Sequence, residues 1–408
     1  MRKNNFNDED VVIVSAVRTP FSKFDTAMKF VDSIELAVVV MKEVIKRVGV
    51  KPEEVEEINY GSCIISETAL YQNIPARQAS LIAGFPPESI SVTMDRACCS
   101  SLTALRMGLR AIRTGEIKVA MAVGSDNMPR APHLAPLFRW APNRVGNLVL
   151  EDPLFEAGYK NKGFSPVTVD AGEVALEYGV TRQMQDEWSV LSQERYFAAD
   201  AAGKFADEIT PLIIPQKRGN PLVIEKDESP RKTSLEALSR LGTVYGSPTI
   251  TAGNAPTLSA GASAILYMTR SEAEKRNLKP LAQIIDVIAQ AREAREIAVV
   301  PGQSIAKILE RNDLTLDDIK LIEINEAFAA MPLVSLKILA KNDENKYQEL
   351  KEKTNVNGGA VAIGHPVGAS ANRITMTLAR ELARRGGGYG VAAICGGLAQ
   401  GEAILIKV

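Results

Sequence analysis

The 408-residue chain has only four cysteines, Cys63, Cys98, Cys99 and Cys395, and no two of them stand in CxxC spacing. With no Cys/His cluster at metal-ligand spacing either, the sequence offers no zinc site and no disulfide framework. Histidine is scarcer still, at His133 and His365. No long run of one charge sign occurs, and 48 basic residues against 49 acidic ones leave a formal charge of −1, so nothing calls for nucleic acid or an anionic membrane as partner. No apolar run approaches the roughly 20 residues that cross a bilayer, and the opening MRKNNFNDED lacks an apolar segment. A reducing, cytoplasmic setting is the resulting expectation. What is present is ordinary for a globular protein of enzyme size: 46% hydrophobic and 24% charged residues.

The chain reads as though it contains itself twice. KRVGVKPEEVEEINYGSC (46–63) and KILERNDLTLDDIKLIEINEAF (307–328) each run from a helix end through an acidic turn into a strand. CCSSLTALRMGLRAIRTGEIKVAMAVGSD (98–126) and GASANRITMTLARELARRGGGYGVAAICGG (368–397) each place small residues, an amphipathic helix and a glycine break before a buried strand. The expected fold is α/β, two duplicated domains packed together with largely parallel sheets. The expected domains are 1–126 with 249–280, an inserted loop domain at 127–248 with a helix near Thr181 to Ala202, and 281–408.

In DRACCSSLTALRM (95–107), Cys98 stands at a strand-to-helix junction, where helix N–H groups lower a thiol pKa. Two buried structural cysteines account for that stretch equally well. The segment NVNGGAVAIGHPVGAS (355–370) puts His365 in a glycine-rich loop, where it could accept a thiol proton. INEAF (324–328) and ICGGLAQG (394–401) end two further strands.

Taken in order, DRACCSS, NEAF, GGAVAIGHPVGAS and CGG resemble the thiolases, the acetyl-CoA C-acyltransferases, over nearly the whole chain. The resemblance implies their αβαβα layering and a reversible reaction, 3-oxoacyl-CoA plus CoA to acyl-CoA plus acetyl-CoA. It makes Cys98 the acylated nucleophile, His365 its base and Cys395 the acid and base at the α-carbon. Asn325, through a bound water, and His365 would form one oxyanion hole, and the N–H groups of Cys98 and Gly397 the other. Coenzyme A enters as substrate, with no permanent cofactor and no metal, and a homodimer or homotetramer is expected.

For coenzyme A the resemblance points to Arg231 near the nucleotide, to Asn254 and Ala255 in the pantetheine loop TAGNAPTLSAGASA (251–264), and to Phe328. Two departures lie in that loop: Pro256 for the usual serine, and Ala260 for the usual aspartate. Upstream, DNMP (126–129) and TVDAGE (168–173) replace the family's ESMS and MGxTAE in the stretch expected to shape the acyl pocket. Cys63, Cys99, Trp140 and Trp188 read as packing residues, and His133 as a loop residue. Two alternatives are a decarboxylating ketoacyl synthase, disfavoured by Asn325 where that enzyme has histidine, and a non-catalytic acyl-CoA or lipid-binding protein, which should lack one of the four catalytic positions.

Overall fold

The structure is a computed structural model that describes residues 9–68, 73–136, 145, 147–155, 163–341 and 343–408. Its strands are β1 (Val11–Arg18), β2 (Ser22–Lys23), β3 (Glu57–Gly61), β4 (Ile90–Met94), β5 (Val119–Asn127), β6 (Leu212–Ile214), β7 (Leu222–Ile224), β8 (Ser259–Thr269), β9 (Ala282–Ala291), β10 (Ile319–Ile324), β11 (Tyr389–Gly396) and β12 (Gln400–Lys407). One hydrogen-bonded path runs β10-β11-β12-β9-β1-β8-β5-β3-β4.

The two halves of this path repeat one arrangement. In the first, β3 runs parallel to β5, which pairs antiparallel with β8, which pairs antiparallel with β1. In the second, β10 runs parallel to β11, then antiparallel pairs join β11 to β12 and β12 to β9. The halves meet where β1 and β9 pair, from Val11 opposite Ile284 to Ile13 opposite Ala282. The expectation of largely parallel sheets is therefore corrected, since antiparallel pairs occupy the middle of the path. β12 returns from β11 through the short turn Gly397–Ala399, and such a turn can join only antiparallel neighbours.

Alternation along β1 builds the layers. Val12, Val14 and Val17 face one outer core together with the helices Ser33–Lys46 and Pro75–Ala83. Val11, Ile13 and Ala16 face a central core that holds the helices Ser100–Arg113 and Ser370–Arg384. The helices Val300–Arg311 and Ala330–Ala340 cover the outer face of the second half. The order α, β, α, β, α follows, with the two central helices packed on each other.

Between β5 and β8, which are hydrogen-bonded neighbours, the chain makes a long excursion. It carries the helices Val167–Glu177 and Arg182–Ala201 and the β6–β7 hairpin. The Thr181 side chain caps the second helix by accepting from the N–H of Met184. Trp140 lies outside the described residues, as does most of PLFRWAPNR.

Candidate active site

The segment DRACCSS makes a tight elbow between β4 and the helix Ser100–Arg113. The Asp95 carboxylate accepts from the N–H of Ala97, and the Ser100 hydroxyl accepts from the N–H of Arg96 and donates to the carbonyl of Ala97. Ala97 takes a left-handed backbone, φ 49°, a conformation costly for a residue with a Cβ. The strain turns Cys98 out of the strand line. Arg96 then ties the elbow to the other half, reaching Gln400, Glu402 and the carbonyl of Gln290 at 2.9, 2.5 and 2.9 Å.

The Cys98 sulfur lies 3.2 Å from His365 Nε2. The other ring nitrogen, Nδ1, is 2.6 Å from Ser370 Oγ, whose own proton goes to the carbonyl of Pro366 at 2.8 Å. Having spent its one proton, Ser370 accepts from Nδ1–H, which leaves the Nε2 lone pair facing the thiol. Burial, with the charge of Arg373 adding to it, lowers the His365 pKa to about 3. The ring is thus neutral and able to take a proton.

Burial also raises the Cys98 thiol well above its ordinary value, the nearby Cys395 sulfur adds to that, and the residue's own backbone N–H works the other way. The expected lowering by the helix end is corrected here. Cys98 precedes the first helical residue, Ser100, and burial in the cleft raises the thiol instead. The resting pair is a neutral thiol against a neutral imidazole.

Asn325 follows the last residue of β10 and is fully buried. Its Nδ2 lies 3.4 Å from His365 Nε2, and its Oδ1 is buried without a hydrogen-bond partner. Cys395, at the end of β11, is buried, and burial pushes its thiol up to about 12. Gly396 and Gly397 continue past the elbow. A Cβ on Gly396 would meet the carbonyl oxygen of Arg96 at 2.9 Å, and one on Gly397 would sit 3.4 Å from the Ala97 Cβ. Leu398 and Ala399 then turn through two left-handed residues, φ 57° and 54°. The structure therefore brings Cys98, His365 and Asn325 into direct register, with Cys395 and Gly397 alongside.

Several residues inside the quoted stretches position the site without touching the reacting atoms. Ser259 Oγ accepts from the His365 N–H at 3.0 Å, and Gly364 beside it, φ +105°, has no room for a Cβ. The carboxylate of Glu326 accepts from Trp188 Nε1, Ser192, Asn355 and the N–H of Val361, which fixes the glycine-rich loop against the helix Arg182–Ala201. Asp126, expected among the residues that shape the acyl pocket, is instead a buried clamp. Its carboxylate accepts from Ser62 Oγ and the N–H groups of Cys63, Ile64 and Gly368, so it ties the loop beside Cys98 to the loop of His365. Burial raises its pKa to about 7 against those bonds. Asn127 is likewise internal, donating to the carbonyls of Met28 and Val31.

The coenzyme A candidates divide. Arg231 is half-buried and donates to the carbonyl of Ala252, next to the loop 251–258. Asn254 is corrected as a side-chain ligand: its amide is fully buried and committed to Thr251, Asp186 and Thr249, so it shapes the loop from within. Ala255 packs at the edge of the second outer core, and Phe328 within it at 9% exposure. Ala260 also leaves the pantetheine group, because it is the second residue of β8 and is buried opposite Ser22 and Asn127. Cys99 is buried in the central core, Cys63 is half-buried beside Asp95, and His133 is exposed.

Residues 11–271 match the model described as "Thiolase, N-terminal domain", and 278–408 the one described as "Thiolase, C-terminal domain". The acetyl-CoA acetyltransferase of Syntrophomonas wolfei is 36% identical over 404 residues, covering 98% of this chain and 99% of that protein. Among solved structures, the Bacillus anthracis acetyl-CoA acetyltransferase superposes with a TM-score of 0.89 at 34% identity, covering 98% of each chain. Human mitochondrial 3-ketoacyl-CoA thiolase in complex with CoA gives 0.88 at 32% identity, again covering 98% of each chain. The chain belongs to the thiolase family.

Proposed function

We propose that this acyltransferase cleaves a 3-oxoacyl-CoA with coenzyme A, and runs the reverse condensation, through an acyl-Cys98 intermediate. The observation that carries the reading is the 3.2 Å contact between the Cys98 sulfur and a neutral, correctly tautomerised His365 Nε2. His365 takes the thiol proton as sulfur attacks the 3-oxo carbon, and the carbon-carbon bond breaks toward the acetyl-CoA carbanion, which Cys395 protonates. The resulting Cys395 thiolate is reprotonated as incoming coenzyme A gives up its thiol proton and takes the acyl group from Cys98, whose departing sulfur takes back the proton held by His365. The orphaned Asn325 Oδ1 supports a water held there, which together with His365 Nε2–H would stabilise one oxyanion. The close approach of Gly397 to the elbow supports the pairing of its N–H with that of Cys98 for the other.

Thiolysis assayed across a series of 3-oxoacyl-CoA lengths tests the reading. Activity with at least one length is expected, and inactivity throughout overturns it in favour of a binding protein. Arg231, a half-buried cation with no carboxylate bonded to it among the described residues, supports a phosphate contact at the nucleotide end of coenzyme A. Arg231→Ala should raise KM for CoA roughly tenfold while leaving kcat near normal, the loss of about one charge-assisted bond. Unchanged KM would return the residue to the solvent.

In this proposal residues 1–126 with 249–280 and residues 281–408 form the two duplicated domains, and 127–248 is the insertion that carries the surface for coenzyme A and the acyl group. A cytoplasmic setting fits a nucleophile that must stay reduced, and all four cysteines are free. Among the described residues no helix is long and apolar enough to cross a membrane.

Self-association is supported by the sheet edge. Among the described residues β4 pairs with β3 alone, and it leaves Ile90 56% and Val92 45% exposed. An apolar, unpaired edge is what a second copy can cover. Val92→Lys should convert the oligomer to monomer in light scattering, and an unaltered mass would show that the interface lies elsewhere.

A further inference from the structure

The helix Ser370–Arg384 holds His365 through Ser370 at its start, and at its other end opens a cavity of about 840 Å³ that serves no step of the reaction. Ten residues of helix separate Ser370 from Arg380, roughly 15 Å. Arg47, Lys279 and Arg380 line this cleft from three separate stretches of chain. Arg47 is spent on Glu43 and on the carbonyls of Asp207 and Ile209. The other two cations are not answered in this way.

Arg380 donates through Nη2 to the carbonyl of Ala16, but its Nε is buried without a partner. Lys279 has no hydrogen-bond or ion-pair partner among the described residues, and no carboxylate there lies within ion-pair distance of Arg380. Glu208, one of the two carboxylates felt by Arg380, is bound to Arg18 and Thr377. The other, Asp207, lines the same cleft but is 71% exposed and sits 3.8 Å from Arg384. Arg47 and Arg384 meanwhile add like charge around the same guanidinium. Gathering cations in a concave, partly desolvated place is unfavourable unless an anion answers them. Val48, Pro280 and Leu281 supply an apolar wall beside them.

We propose that this cleft binds a phosphate-bearing small molecule, its phosphate between Arg380 and Lys279 and its less polar part against Val48 and Pro280. A free nucleotide and the phosphorylated end of coenzyme A share that chemistry. The test is isothermal titration of the whole enzyme with pyrophosphate, ADP and coenzyme A, repeated on Lys279→Gln and Arg380→Gln. Saturable binding of pyrophosphate or ADP, weakened about tenfold or more in each variant, is expected for the loss of a charge-assisted bond. If coenzyme A alone shows a second binding step that the variants remove, the occupant is the substrate itself, and the site stands. No saturable binding of any probe at this cleft, or equal affinities in wild type and both variants, overturns the proposal. Lys279 is exposed, so its variant keeps the test decisive even if Arg380→Gln destabilises the fold.

Discussion

Cys98→Ala will lower thiolysis by about 10⁴-fold or more, the scale set by removing the nucleophile from a catalytic unit, equivalent to about 5.5 kcal/mol of barrier. Mass spectrometry after incubation with acetyl-CoA should find one acetyl group on the wild-type peptide containing Cys98 and none in the variant. Acetyl on Cys99 or Cys63 would defeat the assignment. The geometry opposes Cys99, whose sulfur is buried in the central core and 3.7 Å from the carbonyl oxygen of Ile394. The pH dependence has a definite sign. Because burial holds the Cys98 thiol above its ordinary value, alkylation of the free enzyme by iodoacetamide should be slow at neutral pH and rise through the alkaline range. His365, at about 3, should impose no break between pH 5 and 8. A reactive thiolate already present at pH 6 would contradict the neutral resting pair.

Cys395→Ala should separate the two half-reactions. Transfer of acetyl from acetyl-CoA to Cys98 needs only Cys98, His365 and the oxyanion donors, so a stoichiometric acetyl-enzyme should still form. Making or quenching the carbanion needs a proton carrier on the opposite side, so thiolysis and condensation should fall by about 10²- to 10⁴-fold, the usual worth of a positioned acid and base. The thiol is pushed up to about 12 by burial, which suits a group that hands a proton to a carbanion and takes one back from an α-carbon. Near-normal turnover in this variant would remove Cys395 from the chemistry.

The site and the fold were legible to different depths. The four motifs were readable because each needs a particular residue type at a chain break: a cysteine at a strand-to-helix turn, an asparagine after a strand, a histidine among glycines and a cysteine before a glycine pair. The duplication showed because each half spells helix, turn and strand in one order. Strand direction was not readable, since β8 and β12 are buried apolar segments that look alike in parallel or antiparallel pairing. The clamps were hidden for a related reason. Asp126, Glu326 and Ser259 stand inside DNMP, NEAF and TAGNAPTLSAGASA, but only the fold shows that each is buried with loop amides aimed at it.

By itself the sequence determined the residue types of the chemistry, the two-fold repetition and the thiolase resemblance, because local periodicity and short motifs are written in neighbouring positions. The tertiary structure alone decided that the base faces Cys98 and not Cys99, that the thiol rests protonated, and that Asn254 and Ala260 turn inward. Those outcomes depend on burial and on contacts that exist only once the chain has packed, several of them between residues far apart in sequence.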